Sequence, residues 1–101
     1  MEPHKSAKRA SREAAEMLAI QALGFIAAEP QRLTRFLDMT GIDAAEIRAA
    51  ARAPRFLAGV LEHMLADESL LVAFAAEAGI DPAEVARARS VIGGNWERDL
   101  P

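Results

Sequence analysis

The chain repeats part of its own sequence at a spacing of 38 residues, and this repeat constrains the fold more than any other feature. Between residues 33 and 50, eight residues return unchanged: Leu33, Phe36, Gly41, Ile42, Asp43, Ala45, Glu46 and Ala50 recur as Leu71, Phe74, Gly79, Ile80, Asp81, Ala83, Glu84 and Ala88. Apolar side chains, helix caps and turn glycines predominate among them. The repeat therefore predicts a shape rather than a chemistry.

Length and composition predict one small helical domain. The chain has 101 residues, of which 51% are apolar, enough for one core and too few for two domains. Alanine is the main apolar residue, which favours closely packed helices. Cysteine is absent, which excludes disulfides, a thiol nucleophile and a cysteine zinc site, and fits a reducing compartment such as the cytoplasm.

Caps and apolar periodicity predict six helices and no strand. The first is expected from about Ser11 to about Ala28, with its apolar second half as the most buried segment. Proline favours the first turn of a helix, glycine follows its last turn, and aspartate caps its start. These signals place the other helices at about 30–40, 43–53, 54–66, 67–78 and 81–92, the last ended by Gly93 and Gly94.

The expected architecture is all-α, a compact six-helix domain of two pseudo-repeated three-helix units around one core. The units span about residues 17–52 and 55–90, within a domain of residues 11–94. Neither unit is long enough to be stable alone. Residues 1–10 are expected to form a basic, disordered arm, and residues 95–101 a flexible tail that carries Trp96.

Charge is unevenly distributed along the chain. Residues 1–12 carry a net charge of +3, so the remaining residues carry −6 of the total of −3. A basic arm on an acidic body is typical of segments that contact nucleic acid, membranes or acidic proteins. It equally fits a solvated terminus that keeps the protein in solution.

The helix–glycine–helix corners have the spacing of a helix-turn-helix, which makes a nucleic-acid-binding regulator the alternative function. The contact residues would be Lys5, Lys8, Arg9, Arg12, Arg87 and Arg89. Against this, the would-be recognition helices begin with Asp43 and Asp81, each followed by a glutamate three residues later. These carboxylates stand where phosphates would approach.

A second candidate site is a group of arginines around Pro54: Arg48, Arg52 and Arg55, with Arg32 and Arg35 earlier in the chain. Arg48 and Arg52 are four residues apart and are expected to share a helical face. Guanidinium groups bind carboxylates and phosphates, so the group predicts contact with an acidic partner, to which Trp96 adds a further contact point. A solvent-screened surface explains the same residues.

Catalytic, cofactor and metal-binding motifs are not recognisable. His63 aligns with Phe25 of the first copy, which predicts a half-buried structural histidine rather than a general base. Two histidines without cysteine make a transition-metal site improbable. The run from Met17 to Ala28 is about half the ~20 residues needed to cross a bilayer, and Glu16 precedes it where a secretion signal is positive. We therefore expect no enzyme, cofactor, metal or membrane association.

Four stretches of the chain together resemble a family of short alphaproteobacterial proteins, about 100 residues long, that is known only as a domain of unknown function. The stretches are Leu33-Thr34-Arg35-Phe36-Leu37-Asp38-Met39-Thr40-Gly41-Ile42-Asp43, Arg48-Ala49-Ala50-Ala51-Arg52, Phe56-Leu57-Ala58-Gly59-Val60-Leu61 and Leu65-Ala66-Asp67-Glu68. The resemblance covers about residues 13–94. It implies a bacterial cytoplasmic protein and carries over no activity, cofactor or site residue.

The sequence thus predicts a non-enzymatic protein-interaction or adaptor module of the bacterial cytoplasm whose partner is another protein. Function is expected where the two copies differ. Those places are the basic arm, the arginines at 48 and 52, His63 against Phe25, and the Trp96 tail.

Overall fold

The computed structural model describes the backbone of residues 3–98 and the side chains of residues 11–92. Within this part of the chain the structure has six α-helices and no strand, so the predicted all-α class is confirmed. The helices are α1 Pro3–Ala27, α2 Pro30–Thr40, α3 Ile47–Ala50, α4 Pro54–Leu65, α5 Glu68–Ala78 and α6 Ala83–Arg98. A 3₁₀ turn at Ala44–Glu46 leads directly into α3.

Proline and glycine mark the helix ends where the sequence predicts them. Pro30 and Pro54 stand in the first turns of α2 and α4, where a missing N–H removes no helical hydrogen bond. Gly41 and Gly79 follow α2 and α5 with φ of 72° and 71°. This left-handed region strains other residues, so each glycine ends its helix at that point.

Two other helix ends differ from the prediction. α1 begins at Pro3 rather than near Ser11, because the residues between them include no helix breaker and proline is accepted in a first turn. α6 continues through Gly93 and Gly94 to Arg98 instead of stopping at the glycine pair. A glycine inside a helix costs about 1 kcal/mol relative to alanine, which weakens a helix without ending it.

The core lies between α1, α4 and α6, which pack against one another, while α2 packs on α1 and α5 packs on α4. Its buried side chains are Ala15, Ala19, Ala22, Leu23, Phe25, Ile26, Phe36, Leu57, Val60, Leu61, Met64, Leu70, Phe74, Val85, Ala88 and Ile92. The rings of Phe25 on α1 and Phe74 on α5 lie 5.5 Å apart between centroids. This contact joins the outer helix α5 to α1.

The second half of α1 is buried along one side of the helix only. Ala19, Ala22 and Ile26 are fully enclosed, whereas Met17 is 66% exposed and Ile20 is 51% exposed. The helices α2, α4 and α6 cover only part of the circumference of α1. An apolar side chain is buried only where a neighbouring element covers it, so the face without a neighbour remains in water.

The repeat is visible in local geometry, but two equivalent three-helix units are not confirmed. α2 and α5 lie 38 residues apart, and the aspartates that follow them, Asp43 and Asp81, accept backbone N–H bonds of 3.0 Å and 2.9 Å from Ala45 and Ala83. However, α3 has four residues, fewer than expected, and α6 has 16. α6, rather than α3, makes the main contacts with α1 and α4.

Candidate functional site

Three of the predicted partner-binding arginines lie at the junction of α3 and α4. Arg48 is on α3, Arg52 is in the turn that follows, and Arg55 is in the first turn of α4. All three are exposed. We call this group the basic corner. Because α3 ends at Ala50, Arg48 and Arg52 do not share a helix, which corrects the expected common helical face.

The charges of Arg48 and Arg52 are not neutralised within the described part of the chain. No carboxylate there lies within ion-pair distance of either guanidinium group. An exposed guanidinium group without a partner donates its five N–H groups to water. A carboxylate of another molecule can replace this water as the acceptor.

Several predicted contact residues have a described backbone only. Trp96 lies in α6, and Lys5, Lys8 and Arg9 lie in α1, but their side chains are outside the part that the structure describes. Residues 1–2 and 99–101 are also outside it. The roles of the arm and of the Trp96 tail therefore stay predictions.

The structure brings Arg87 close to the segment of α1 that carries Arg12. Both arginines are exposed, and a groove between α1 and α6 has Ser11 and Arg87 among its lining residues. Arg87 also forms an ion pair of 3.1 Å with Glu84, one turn earlier on α6. The groove is thus lined by the carboxylate of Glu84 together with the guanidinium group of Arg87.

Arg89 makes a contact within the fold and does not stand on an open surface. This half-buried arginine pairs with Glu62 and so connects α6 to α4. In the first corner, the four residues of α3 are too few for a recognition helix that would enter a major groove. The six residues of the nucleic-acid alternative are therefore not gathered on one recognition helix.

A second surface, which the sequence does not reveal, is a cleft between α2, α4 and α5 with a volume of about 320 Å³. We call it the polar cleft. Its lining residues are Gln31, Arg32 and Arg35 of α2, His63 of α4, and Asp67, Ser69, Leu70 and Ala73 at and after the start of α5. Polar groups from three helices thus converge on one depression.

Contacts within the chain hold the charged groups of the polar cleft. The Arg32 guanidinium lies over the Phe25 ring at 4.1 Å from its centroid, and it also donates a 3.4 Å hydrogen bond to the Phe25 carbonyl. Asp67 Oδ1 accepts the N–H of Leu70 at 3.2 Å, which caps α5, and Asp67 Oδ2 lies 4.0 Å from the Arg35 guanidinium. Arg32 is consequently oriented by packing, and Arg35 by a loose ion pair.

His63 is half-buried in the cleft wall, as the sequence predicts. Its ring meets that of Phe36 edge to face at 5.1 Å between centroids. Burial, and then the charge of Arg35, lower the pKa of His63, while the charge of Asp67 raises it in part. A net lowering from 6.5 leaves the imidazole neutral near pH 7, with one N–H donor and one acceptor nitrogen.

The sequence contains only a partial signal for this cleft. Arg32 and Arg35 are three residues apart, a spacing that places both on one side of a helix. Their meeting with His63 and Asp67 depends on how α2 packs beside α4 and α5. A histidine at the place that a phenylalanine has in the first copy is the other signal.

The described residues include no cluster of three or more histidine, cysteine, aspartate or glutamate side chains that could bind a metal ion. In the same part of the chain, no helix combines the length and the apolar character that a membrane span requires.

These features define a small all-α domain of six helices, with a basic corner and a polar cleft on its surface. Comparison with known families shows that residues 12–95 match the family described as protein of unknown function, DUF3572. The chain belongs to this family, which confirms the resemblance to a domain of unknown function. No curated protein and no solved structure matches the chain.

Proposed function

We propose that this chain is a non-enzymatic protein-interaction module of the bacterial cytoplasm, which binds an acidic segment of another protein through the basic corner. The supporting observation is that Arg48 and Arg52 are exposed and have no carboxylate partner among the described residues. Carboxylates outnumber lysines and arginines by 15 to 12 in this chain, so the unpaired positive charges of Arg48 and Arg52 contrast with the net negative charge of the whole protein.

Several other arginines in the described part of the chain have a contact of their own. Arg32 stacks on a phenylalanine, and Arg87 and Arg89 pair with glutamates. Arg48 and Arg52 differ from these three because their N–H donors have no partner among the residues whose side chains are described. Their substitution should therefore change binding with little effect on stability.

Electrostatics favours an acidic protein segment as the ligand of the basic corner. Guanidinium groups bind carboxylates through two parallel hydrogen bonds. One exposed pair contributes only about 0–1 kcal/mol, so a useful contact needs several carboxylates on the partner. Such a contact speeds association and weakens as salt is added.

The use of the polar side chains for packing and capping supports a non-enzymatic role. His63 packs edge to face against Phe36, a contact that accounts for this side chain without a role as a general base. Asp43, Asp67 and Asp81 each accept a backbone N–H at the start of a helix. Capping accounts for all three carboxylates.

One observation favours the nucleic-acid-binding alternative. The groove between α1 and α6 places Arg87 beside the segment of α1 that also bears Arg12, so these two predicted contact residues lie near the same groove. The pairing of Arg87 with Glu84 weighs against it, because that carboxylate would face the phosphates.

Charge-reversal variants separate the two proposals. An Arg48→Glu/Arg52→Glu protein and an Arg12→Glu/Arg87→Glu protein carry the same net charge and change four exposed residues in all. Each is used as bait for chemical cross-linking in the native host, with the wild-type chain alongside. If the basic corner binds the partner, only the first variant loses it, and the cross-linked segment of the partner is rich in aspartate and glutamate.

A partner that both variants retain would contradict the basic corner as the contact surface. For the alternative, the same three proteins are mixed with duplex DNA at low salt. A retarded band that Arg12→Glu/Arg87→Glu abolishes, and that fades steeply with salt, would favour the regulator. No retardation at low salt would remove that alternative.

A further inference from the structure

We infer that the polar cleft is a binding site for a small oxyanion, a phosphate or carboxylate group carried by a small molecule. Arg32 and Arg35, three residues apart on α2, both line the cleft, opposite the start of α5. This site uses none of the arginines of the basic corner, so the inference can be tested independently of the proposed protein interaction.

The first cation of the site is held in place before any ligand arrives. Arg32 is half-buried, its guanidinium lies 4.1 Å from the centroid of the Phe25 ring, and one of its N–H groups donates weakly to the Phe25 carbonyl at 3.4 Å. Stacking on one face leaves the remaining N–H donors at the edge of the guanidinium plane. A cation oriented in this way loses little side-chain freedom when an anion binds.

Arg35, the second cation of the site, has N–H donors that remain available for a ligand. The nearest oxygen of Asp67 lies 4.0 Å from Arg35, beyond hydrogen-bond length, and the other carboxylate oxygen already accepts the N–H of Leu70. The charged side chains that line the cleft are two arginines and one aspartate, which leaves it with one positive charge in excess. An oxyanion that accepts hydrogen bonds from Arg35 replaces a loose contact with a charge-assisted one.

The remaining wall groups suit the rest of a small ligand. Gln31 and Ser69 offer an amide and a hydroxyl donor, and the neutral ring of His63 offers one N–H or one acceptor nitrogen. Leu70 and Ala73 add an apolar surface. The volume of about 320 Å³ lies at the lower end of the range for small-molecule sites, so the ligand is small.

Anion titration followed by backbone amide NMR shifts tests the inference. Inorganic phosphate and acetate are added separately at about pH 7.5, with ionic strength held constant by sodium chloride. We expect saturable shifts at the cleft residues of α2 and α5. Saturation by phosphate alone indicates a phosphorylated ligand, saturation by acetate alone indicates a carboxylate, and saturation by both indicates a general oxyanion site.

The deciding variant is Arg35→Gln, because this side chain is 67% exposed and its loss should leave the fold intact. We expect it to weaken binding roughly tenfold, whereas Arg48→Gln, at the basic corner, should bind as the wild type does. The inference is overturned if neither anion saturates, if Arg35→Gln binds as tightly as the wild type, or if the shifts centre on the basic corner.

Discussion

The rings of Phe36 and His63 meet with 5.1 Å between their centroids and 86° between their planes. Phe36 is fully buried on α2, and His63 is half-buried on α4, so this contact joins two helices beside the polar cleft. Phe56 packs against the same phenylalanine at 6.0 Å between centroids. Because one ring of the group is ionisable, we expect the stability of this contact to depend on pH.

We predict that acid destabilises the protein partly through His63. Burial and the charge of Arg35 hold its pKa below the ordinary value of 6.5, so the unfolded chain takes up this proton at a higher pH than the folded chain does. The stabilising contribution is therefore full above about pH 6.5 and is lost as the pH falls through the lowered, folded-state pKa. Urea unfolding of the wild type and of His63→Phe at about pH 7.5 and about pH 5.5 measures it. His63→Phe should lose less stability on acidification, and an equal loss in both proteins would contradict this.

We predict opposite effects of alanine at two kinds of glycine. Gly41 and Gly79 have positive φ, so Gly41→Ala and Gly79→Ala should each destabilise the protein by about 1–2 kcal/mol. Gly59 lies inside α4, and a Cβ added there meets no atom within 4 Å. Gly59→Ala, the control, should stabilise by about 0.5–1 kcal/mol. Thermal unfolding compares the three variants, and a neutral Gly41→Ala would show that the left-handed turn is not needed.

Asp67 should have two separable effects, one as a helix cap and one as a charge. Asp67→Ala removes the bond to the N–H of Leu70 and should destabilise the protein by about 0.5–2 kcal/mol. Asp67→Asn keeps an acceptor oxygen and should change stability by only a few tenths of a kcal/mol, about the scatter among good N-caps. Since the charge of Asp67 raises the pKa of His63, both variants should lower that pKa further, as an NMR titration of the imidazole ring would report. An unchanged pKa in Asp67→Asn would show that the charge does not reach the ring.

The exposed apolar side chains of α1 should tolerate charge. Met17→Lys and Ile20→Lys should each change the free energy of unfolding by no more than about 0.5 kcal/mol, because both side chains are mostly in water. Ile26, on the buried side of the same helix, is the comparison: Ile26→Ala should cost about 2–5 kcal/mol. If Ile20→Lys were as destabilising as Ile26→Ala in urea titrations, this face of α1 would have to be covered in solution.

The local features of this fold follow from single residues, which is why they could be predicted. Gly41 and Gly79 adopt the left-handed conformation, Pro30 and Pro54 begin helices, and Asp67 caps α5, all as expected. Each of these effects acts within one turn of the chain. The glycine pair at 93–94 misled the prediction, because a glycine permits a helix end without requiring one.

The two candidate sites likewise differ in whether they could be predicted from the sequence. The sequence points to Arg48, Arg52 and Arg55, which are close along the chain and remain together at one corner. It does not point to the polar cleft, whose Arg35, His63 and Asp67 come from different elements. Their proximity results from how α2, α4 and α5 pack, and packing depends on contacts between residues distant in sequence.

By itself, the sequence determined the all-α class, six helices, the turns at Gly41 and Gly79, and membership of a family without an assigned function. Only the tertiary structure decided that the repeat does not produce two equal halves, that one face of α1 remains in water, and that a cleft forms around Arg35 and His63. The physical reason is the distance along the chain over which each kind of interaction acts. Caps and turn glycines act on neighbouring backbone groups, whereas burial and the meeting of charges depend on which helices cover one another.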